Sequence, residues 1–349
     1  MNQDTTIDRR SFLKGTGAAS AVGIATLSGC LGEGGGENEL VIGTAASATA
    51  NYASMQGFGS AVNENTDDIY LDVRPNDGMA ANVGDMARGE MDLALLTDYN
   101  ALLIERGEDE YADIDYELTQ LLKTATTEWI LVSNDEDITS YDDIDADTSV
   151  SAGPSGTAVM DYFVEIMELL EIEFDETPVG FGDMGSALEE GRIDIGLSAT
   201  NNAPTADEEE GTDLITPGWV QQLQGSSDVH PLEMAEDQFE TVSDEFTTFA
   251  IDPDLVDGYD STPDSIPGMV QTTYLCAPAD AEGDLITTMM ETAWDQRDDM
   301  GTYHDFLTFH QYDDHWTRFS FDGFPFHSAA ADFYEDVGAW DDDLERASE

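Results

Sequence analysis

The chain has 349 residues, 40% hydrophobic and 9% aromatic, so it can bury a sizeable core and is too apolar for global disorder. It carries 76 Asp and Glu against 11 Lys and Arg, a formal net charge of −65, which excludes nucleic acid as a ligand class because neutralising phosphates takes Lys and Arg. The acids are scattered through segments patterned to fold, so the surface reads as adapted to high salt, where the Debye length falls to about 3 Å, rather than as an acidic tail for a basic partner.

The chain opens with IDRRSFLKGTGAASAVGIATLSGC. Arg9 and Arg10, followed by Ser11, Phe12, Leu13 and Lys14, match the twin-arginine export pattern. The apolar stretch after them is too short to span a bilayer. It ends in Leu27-Ser28-Gly29-Cys30, which resembles a lipobox, so residues 1–29 are expected to be a leader and Cys30 a lipidated N-terminus. Residues 30–39 are glycine-rich and read as a flexible tether. The mature protein is therefore expected to be extracytoplasmic and anchored to the outer face of the cell membrane. With Cys30 so committed, Cys276 is left without a disulfide partner.

From Leu40, LVIGTAASATANYASMQGFGSAV predicts a strand, a small-residue loop and a helix. RPNDGMAANVGDMARGEMDLALLTDYNA, from Arg74, adds a proline-led loop, a short helix, a glycine turn and an apolar strand. The same plan returns later. TSVSAGPSGTAVMDYFVEIMELL, from Thr148, matches the first unit, with Val159, Phe163, Ile166, Met167 and Leu170 at helical spacing. TPVGFGDMGSALEEGRIDIGLSATNNA, from Thr177, matches the second. Each half is thus β-loop-α-β-loop-α-β, the unit of an open parallel sheet with right-handed crossovers. Ligands of such sheets sit beyond the carboxyl ends of the strands, where helix N-termini present free N–H groups. Two facing lobes would ring one cleft with four small-residue loops.

Other uses of the 151–157 loop are weaker. A P-loop needs lysine after its second glycine, and only Lys14 and Lys123 exist in the chain. A nucleophile elbow needs Gly-x-Ser-x-Gly, whereas Gly153-Pro154-Ser155-Gly156 has a different spacing; an exported hydrolase using Ser155 stays open as an alternative. His304, His310 and His315 lack a tight ligand spacing and read as packing, so no metal site and no cofactor is expected. DPDLVDG, from Asp252, departs from a calcium loop because Gly258 falls one residue late.

These segments, in this order, resemble the TAXI group of solute receptors that serve TRAP transporters, over about Leu40 to Gly338. VIGTAASATANYAS is similar to the group's Gly-Thr-Gly-rich first loop, through Gly43, Thr44 and Tyr52, with Ala45, Ala48 and Thr49 at usual glycines and Asn51 in place of a tyrosine. PNDGMAANV resembles its second loop, through Pro75, Gly78 and Asn82. ALLTDYNA resembles the strand end that brings a polar pair, here Thr97 and Asp98, to the cleft. SAGPSGT is similar through Ser155, Gly156 and Thr157, NNAPTA through Ala203, Pro204, Thr205 and Ala206, and FPFHSAAADFYEDVG resembles the group's C-terminal motif.

The resemblance implies an α/β protein with the two-lobed periplasmic-binding fold, type II-like, and two hinge-crossing strands. TEWILVSND, from Thr127, and MVQTTYLCAPAD, from Met269, suit the crossings. Lobe 1 is then expected at 40–133 plus 266–349, and lobe 2 at 134–265. The implied function is capture of a small polar or carboxylate solute, such as an amino acid or dicarboxylate, and its delivery to TRAP membrane subunits. A receptor for an ATP-driven importer, or a sensor, is the alternative with the same fold. The expected solute contacts are Ala48, Thr49, Asn51 and Tyr52 in the first loop, and Gly78, Met79 and Asn82 in the second. Thr97 and Asp98, Trp129, the Ser155-Gly156-Thr157 turn, and Asn201, Asn202 and Thr205 complete them. Arg74 is the better candidate for a carboxylate clamp, Arg88 and Arg192 being expected in solvent-facing turns.

Overall fold

A computed structural model describes residues 38–347 except 48, 77–78, 108–110, 112–113, 115, 156, 202–214 and 322. The leader, Cys30 and the tether expected before Asn38 lie outside the described residues.

The first half runs β1 (Glu39–Gly43), α1 (Ala50–Asn63), β2 (Tyr70–Arg74), α2 (Met79–Ala87), β3 (Leu93–Thr97) and α3 (Asp98–Arg106). A long strand, β4 (Leu118–Ser133), leads into the second half. There β5 (Ser149–Val150), α4 (Ala158–Leu169), β6 (Asp175–Glu176), α5 (Met184–Glu189) and β7 (Ile195–Asn201) repeat the plan. After them come α6 (Gly218–Ser226), β8 (His230–Pro231), α7 (Glu236–Ser243) and β9 (Thr248–Ile251). A second long strand, β10 (Ile266–Pro278), returns to the first half, where α8 (Gly283–Asp295), a run of 3-10 turns and α9 (Ser328–Val337) finish the chain.

Among the described residues the strands form one sheet in the order β2-β1-β3-β10-β4-β7-β5-β6, with β8 on β4 and β9 on β10. β1 is parallel to β2 and β3, and β5 is parallel to β6 and β7, as right-handed βαβ units require. The antiparallel pair β4 and β10 joins the two wings, from Leu118 opposite Pro278 to Trp129 opposite Met269, with register shifts between Thr273 and Tyr274 and between Leu275 and Cys276. The α/β class and the two long crossing strands agree with the expectation from sequence.

Each wing has its own apolar core. Leu40, Ile42, Phe58, Leu93, Leu122 and Tyr274 belong to the first, Ile130, Phe163, Ile195, Leu197 and Leu223 to the second. In α4 the Val159, Phe163, Ile166 and Met167 side chains of the expected stripe are buried, each contributing about 1.5–3 kcal/mol by leaving water, while Leu170 is the C-cap and half-buried. α3 lies on the seam, with Ala101 in the first core and Tyr99 in the second.

One glycine fixes the first strand's exit. A Cβ on Gly43 would lie 2.1 Å from Met91 Sδ and 2.6 Å from Asn82 Oδ1, closer than any side chain tolerates. Asn82 is buried there and stitches loops together: its Nδ2 donates to Thr44 O (3.3 Å) and Leu95 O (3.1 Å), and its Oδ1 accepts from Asn76 Nδ2 at 2.9 Å. Those bonds occupy the amide of a residue that the sequence reading expected to contact the solute.

Candidate functional site

The carboxyl ends of both wings meet the middle of the crossing pair. β3 ends with Thr97 opposite Thr273 of β10. Thr272, the next residue back, faces Thr126 of β4, and Thr127 faces Asn201, the last residue of β7. The two strand tips therefore abut the same few rungs from either side.

Those rungs are polar. β4 reads LTQLLKTATTEWILVS and β10 reads IPGMVQTTYLCAP, so each is apolar at both ends and polar at the centre. Thr126, Glu128, Thr200, Asn201 and Thr272 are all buried, although such side chains seldom are. Asn201 Nδ2 donates to Thr126 O (3.2 Å) and Thr127 Oγ1 (2.8 Å), tying the β7 tip to β4. Thr200 Oγ1, Asn201 Oδ1, Gln271 Nε2 and Thr272 Oγ1 meet no partner among the described residues. Buried polar atoms are rarely left so without a ligand or ordered water to complete them. Glu128, Thr200, Gln271 and Thr272 belong to no motif and are absent from the sequence-derived candidates. Their only sign in the sequence is a polar run interrupting an apolar strand.

The loops around this floor start helices. Thr49 is the N-cap of α1: its Oγ1 accepts from Tyr52 N (3.2 Å) and donates to Ala46 O (2.7 Å). Tyr52, half-buried, accepts from Gln56 Nε2 at 2.7 Å, and half-buried Asn51 makes no side-chain hydrogen bond among the described residues. Met79 opens α2 and is half-buried against the first core. Thr97 caps α3 in a reciprocal pair with Asn100, which uses its hydroxyl. The expected contacts Ala48, Gly78, Gly156, Asn202 and Thr205 lie outside the described residues.

At α4 the cap is different. Thr157 is the N-cap residue, yet its Oγ1 turns back to donate to Pro154 O (2.8 Å) and makes no cap bond. Among the described residues the N–H groups of the first turn meet no capping side chain, and Ser155 beside them is exposed. Gly153, at φ +118°, lets the turn pass close to the Phe181 ring, where a Cβ would come within 3.1 Å. Phe181 in turn stacks on Trp129 (5.9 Å between centroids) and meets Trp219 (5.1 Å). Trp129 is therefore half-buried in an aromatic tier beside the crossing strands, with its Nε1 meeting no partner among the described residues.

Asp98 stands at the same level. Its Oδ1 accepts from Tyr99 N (2.8 Å) and its Oδ2 from Thr272 N (3.2 Å), filling the gap in the β10 edge between β9 and β3. Burial pushes its carboxyl up to about 7, against the pull of those backbone N–H groups. It lines a cavity of about 120 Å³ on the α3–α4 seam, with Tyr99, Tyr162, Phe246, Phe319 and Ser320. Thr49, Tyr52, Trp129, Ser155 and Thr157 are not part of that lining.

The basic side chains are occupied elsewhere. Arg74, the expected clamp, donates through Nε to Asp72 (2.7 Å) on an exposed strand end, Arg88 pairs with Asp85 and Glu90, and Arg192 with Glu190. His310 and His315 sit in an aromatic cluster with Phe309 and Trp316.

Solved structures of similar fold include the ligand-binding component of an ABC-type import system from Staphylococcus aureus, at 11% identity and TM-score 0.43, covering 87% of this chain and 93% of that one. The periplasmic aliphatic sulphonate binding protein SsuA from Escherichia coli is similar at 11% identity and TM-score 0.44, covering 86% and 84%. A TRAP periplasmic solute binding protein from Chromohalobacter salexigens, with bound d-glucuronate, is similar at 12% identity and TM-score 0.40, covering 77% and 83%. No curated protein matches the chain. The model of the NMT1-like family matches residues 42–338, most of the chain, and the protein belongs to that family.

Proposed function

We propose that this protein is an extracytoplasmic solute receptor, without catalytic activity, that captures one small polar molecule and hands it to TRAP-type membrane subunits. The observation that carries the reading is the meeting of the β3 and β7 tips on the polar centre of β4 and β10. In this reading residues 40–133 plus 266–349 form one lobe and 134–265 the other. The crossing strands are the hinge, and solute bound at their centre favours the closed form by touching both lobes. The uncapped first turn of α4 supplies N–H donors to a polar or anionic group of the solute. Export by the twin-arginine route and a lipid on Cys30 would place the receptor beside its membrane partner.

The test is chemical. Protein purified in concentrated salt is denatured, and the small molecules released are identified by mass spectrometry. One molecule released in near-stoichiometric amount, which on re-addition raises the unfolding temperature, is the expected result. Release of nothing, with no thermal shift from a broad solute library, overturns the receptor reading.

A further inference from the structure

We infer that the solute is an uncharged ring rimmed with hydroxyls, a sugar or cyclitol, held on the face of the crossing strands that carries Trp129. The inference deepens the receptor reading and rests on it. Side chains alternate across a sheet, so Thr127, Trp129 and Gln271 point to one face and Thr126, Glu128 and Thr272 to the other. The first three are half-buried and the second three buried, so the Trp129 face is the one reached from outside. On it the rungs run across three strands. Gln271 of β10, Thr127 of β4 and Asn201 of β7 stand in one row, and Met269, Trp129 and Ala199 in the next. Neither row contains a charged side chain.

The open polar atoms of these rows are of both kinds. Asn201 Nδ2 donates to Thr126 O, a carbonyl that can only accept, and this fixes the amide so that Oδ1 is an acceptor. That Oδ1 meets no donor among the described residues, and the donors Gln271 Nε2 and Trp129 Nε1 meet no acceptor. A solute that completes the rows must donate to Asn201 and accept from Gln271 and Trp129. A carboxylate cannot donate and an ammonium cannot accept, whereas each hydroxyl does both. The patch is about 10 Å across the three strands and about 7 Å along them, room for one six-membered ring and its hydroxyls. The Trp129, Phe181 and Trp219 rings give the apolar side of such a ring a flank to lie against. An anion would in addition approach against a net charge of −65, and a neutral ring does not.

The experiment sets glucose, galactose and myo-inositol against glucuronate, galacturonate and glucosamine, which keep the ring and add a charge, with glutamate as a charged probe without a ring. Binding to the whole protein is measured by calorimetry in molar KCl, for wild type, Gln271→Met and Trp129→Phe. The first substitution removes an open donor at similar size, and the second removes the indole N–H but keeps an aromatic ring. Thermal unfolding without probe confirms that each variant is folded. At least one neutral ring should bind about tenfold or more tighter than its charged counterpart, and each substitution should weaken it several-fold. Binding of glutamate or of a charged ring with no neutral ring bound overturns the assignment and leaves the receptor reading standing. Binding of a neutral ring that both substitutions leave unchanged, or no binding by any neutral ring, also overturns it, and the open atoms of the two rows are then served by water.

Discussion

Arg106 and Glu165 form an ion pair, Nη1 to Oε2 at 3.0 Å, that joins α3 of one wing to α4 of the other. Tyr99 donates its hydroxyl to the other oxygen of Glu165 at 3.1 Å, and its ring stands edge-on to Tyr162 at 5.7 Å. The contact lies beside the crossing strands, so it bears on how firmly the wings are held together. The pair is partly exposed, and one such bridge contributes at most about 1 kcal/mol. Glu165→Ala should therefore lower stability by about that amount in denaturant titrations, and Tyr99→Phe by less. If the proposed hinge is right, Glu165→Ala also raises the radius of gyration seen by solution scattering.

Asn82→Ala separates a framing role from a solute-binding one. The substitution leaves the carbonyls of Thr44 and Leu95 buried without their donor, at a cost of about 1–3 kcal/mol. Thermal unfolding with no solute present should fall accordingly. Gly43→Ala should be at least as damaging, because the added methyl meets Met91 and Asn82. An unfolding temperature that moves only when solute is present would return Asn82 to the cleft.

Two buried groups give stability opposite slopes with pH. His310 is wholly buried, and burial, with the nearby Lys123 charge, lowers its pKa from 6.5 to about 4, so the fold favours the neutral ring by about 3 kcal/mol. That contribution is complete above pH 6.5 and is lost as pH falls toward 4. His310→Phe should flatten this part of the profile, measured as urea midpoint against pH. For Asp98 the shift is upward, from 3.8 to about 7, so its contribution is present below pH 3.8 and lost as pH rises through 7. Asp98→Asn should remove that decline and leave the His310 slope intact.

The net charge predicts a stability that depends on salt. At a net charge of −65, self-repulsion opposes compaction until ions screen it. Between about 0.1 M and about 1 M salt the Debye length shrinks from about 10 Å to about 3 Å. The unfolding midpoint should climb steeply across that range in KCl. A flat response would mean that the carboxylates are too far apart to matter.

Much of the fold is legible in the sequence, because strand and helix periodicities are local properties of the backbone. The stripe Val159, Phe163, Ile166 and Met167 announces α4 before any contact is known, and the repeated strand–loop–helix plan announces two βαβ wings. Caps are legible too. Thr49 and Thr97 stand where helices begin, and both act as N-caps. Whether a hydroxyl at a helix start caps is less legible, since Thr157 turns back to Pro154 O, and the long reach of Asn82 to Thr44 and Leu95 is not local at all.

The sequence by itself determined the α/β class, the order of the wings and the overwhelming negative charge, since composition and periodicity need no partner to be defined. Only the tertiary structure decided that Thr126 faces Thr272, that Glu128 faces Thr200, and that both tips end on those rungs. Register between strands far apart in the chain is fixed by the sum of many side-chain contacts on both faces of the sheet. No window of sequence contains that sum, so what a buried acid in mid-strand faces is defined only once the strands are paired.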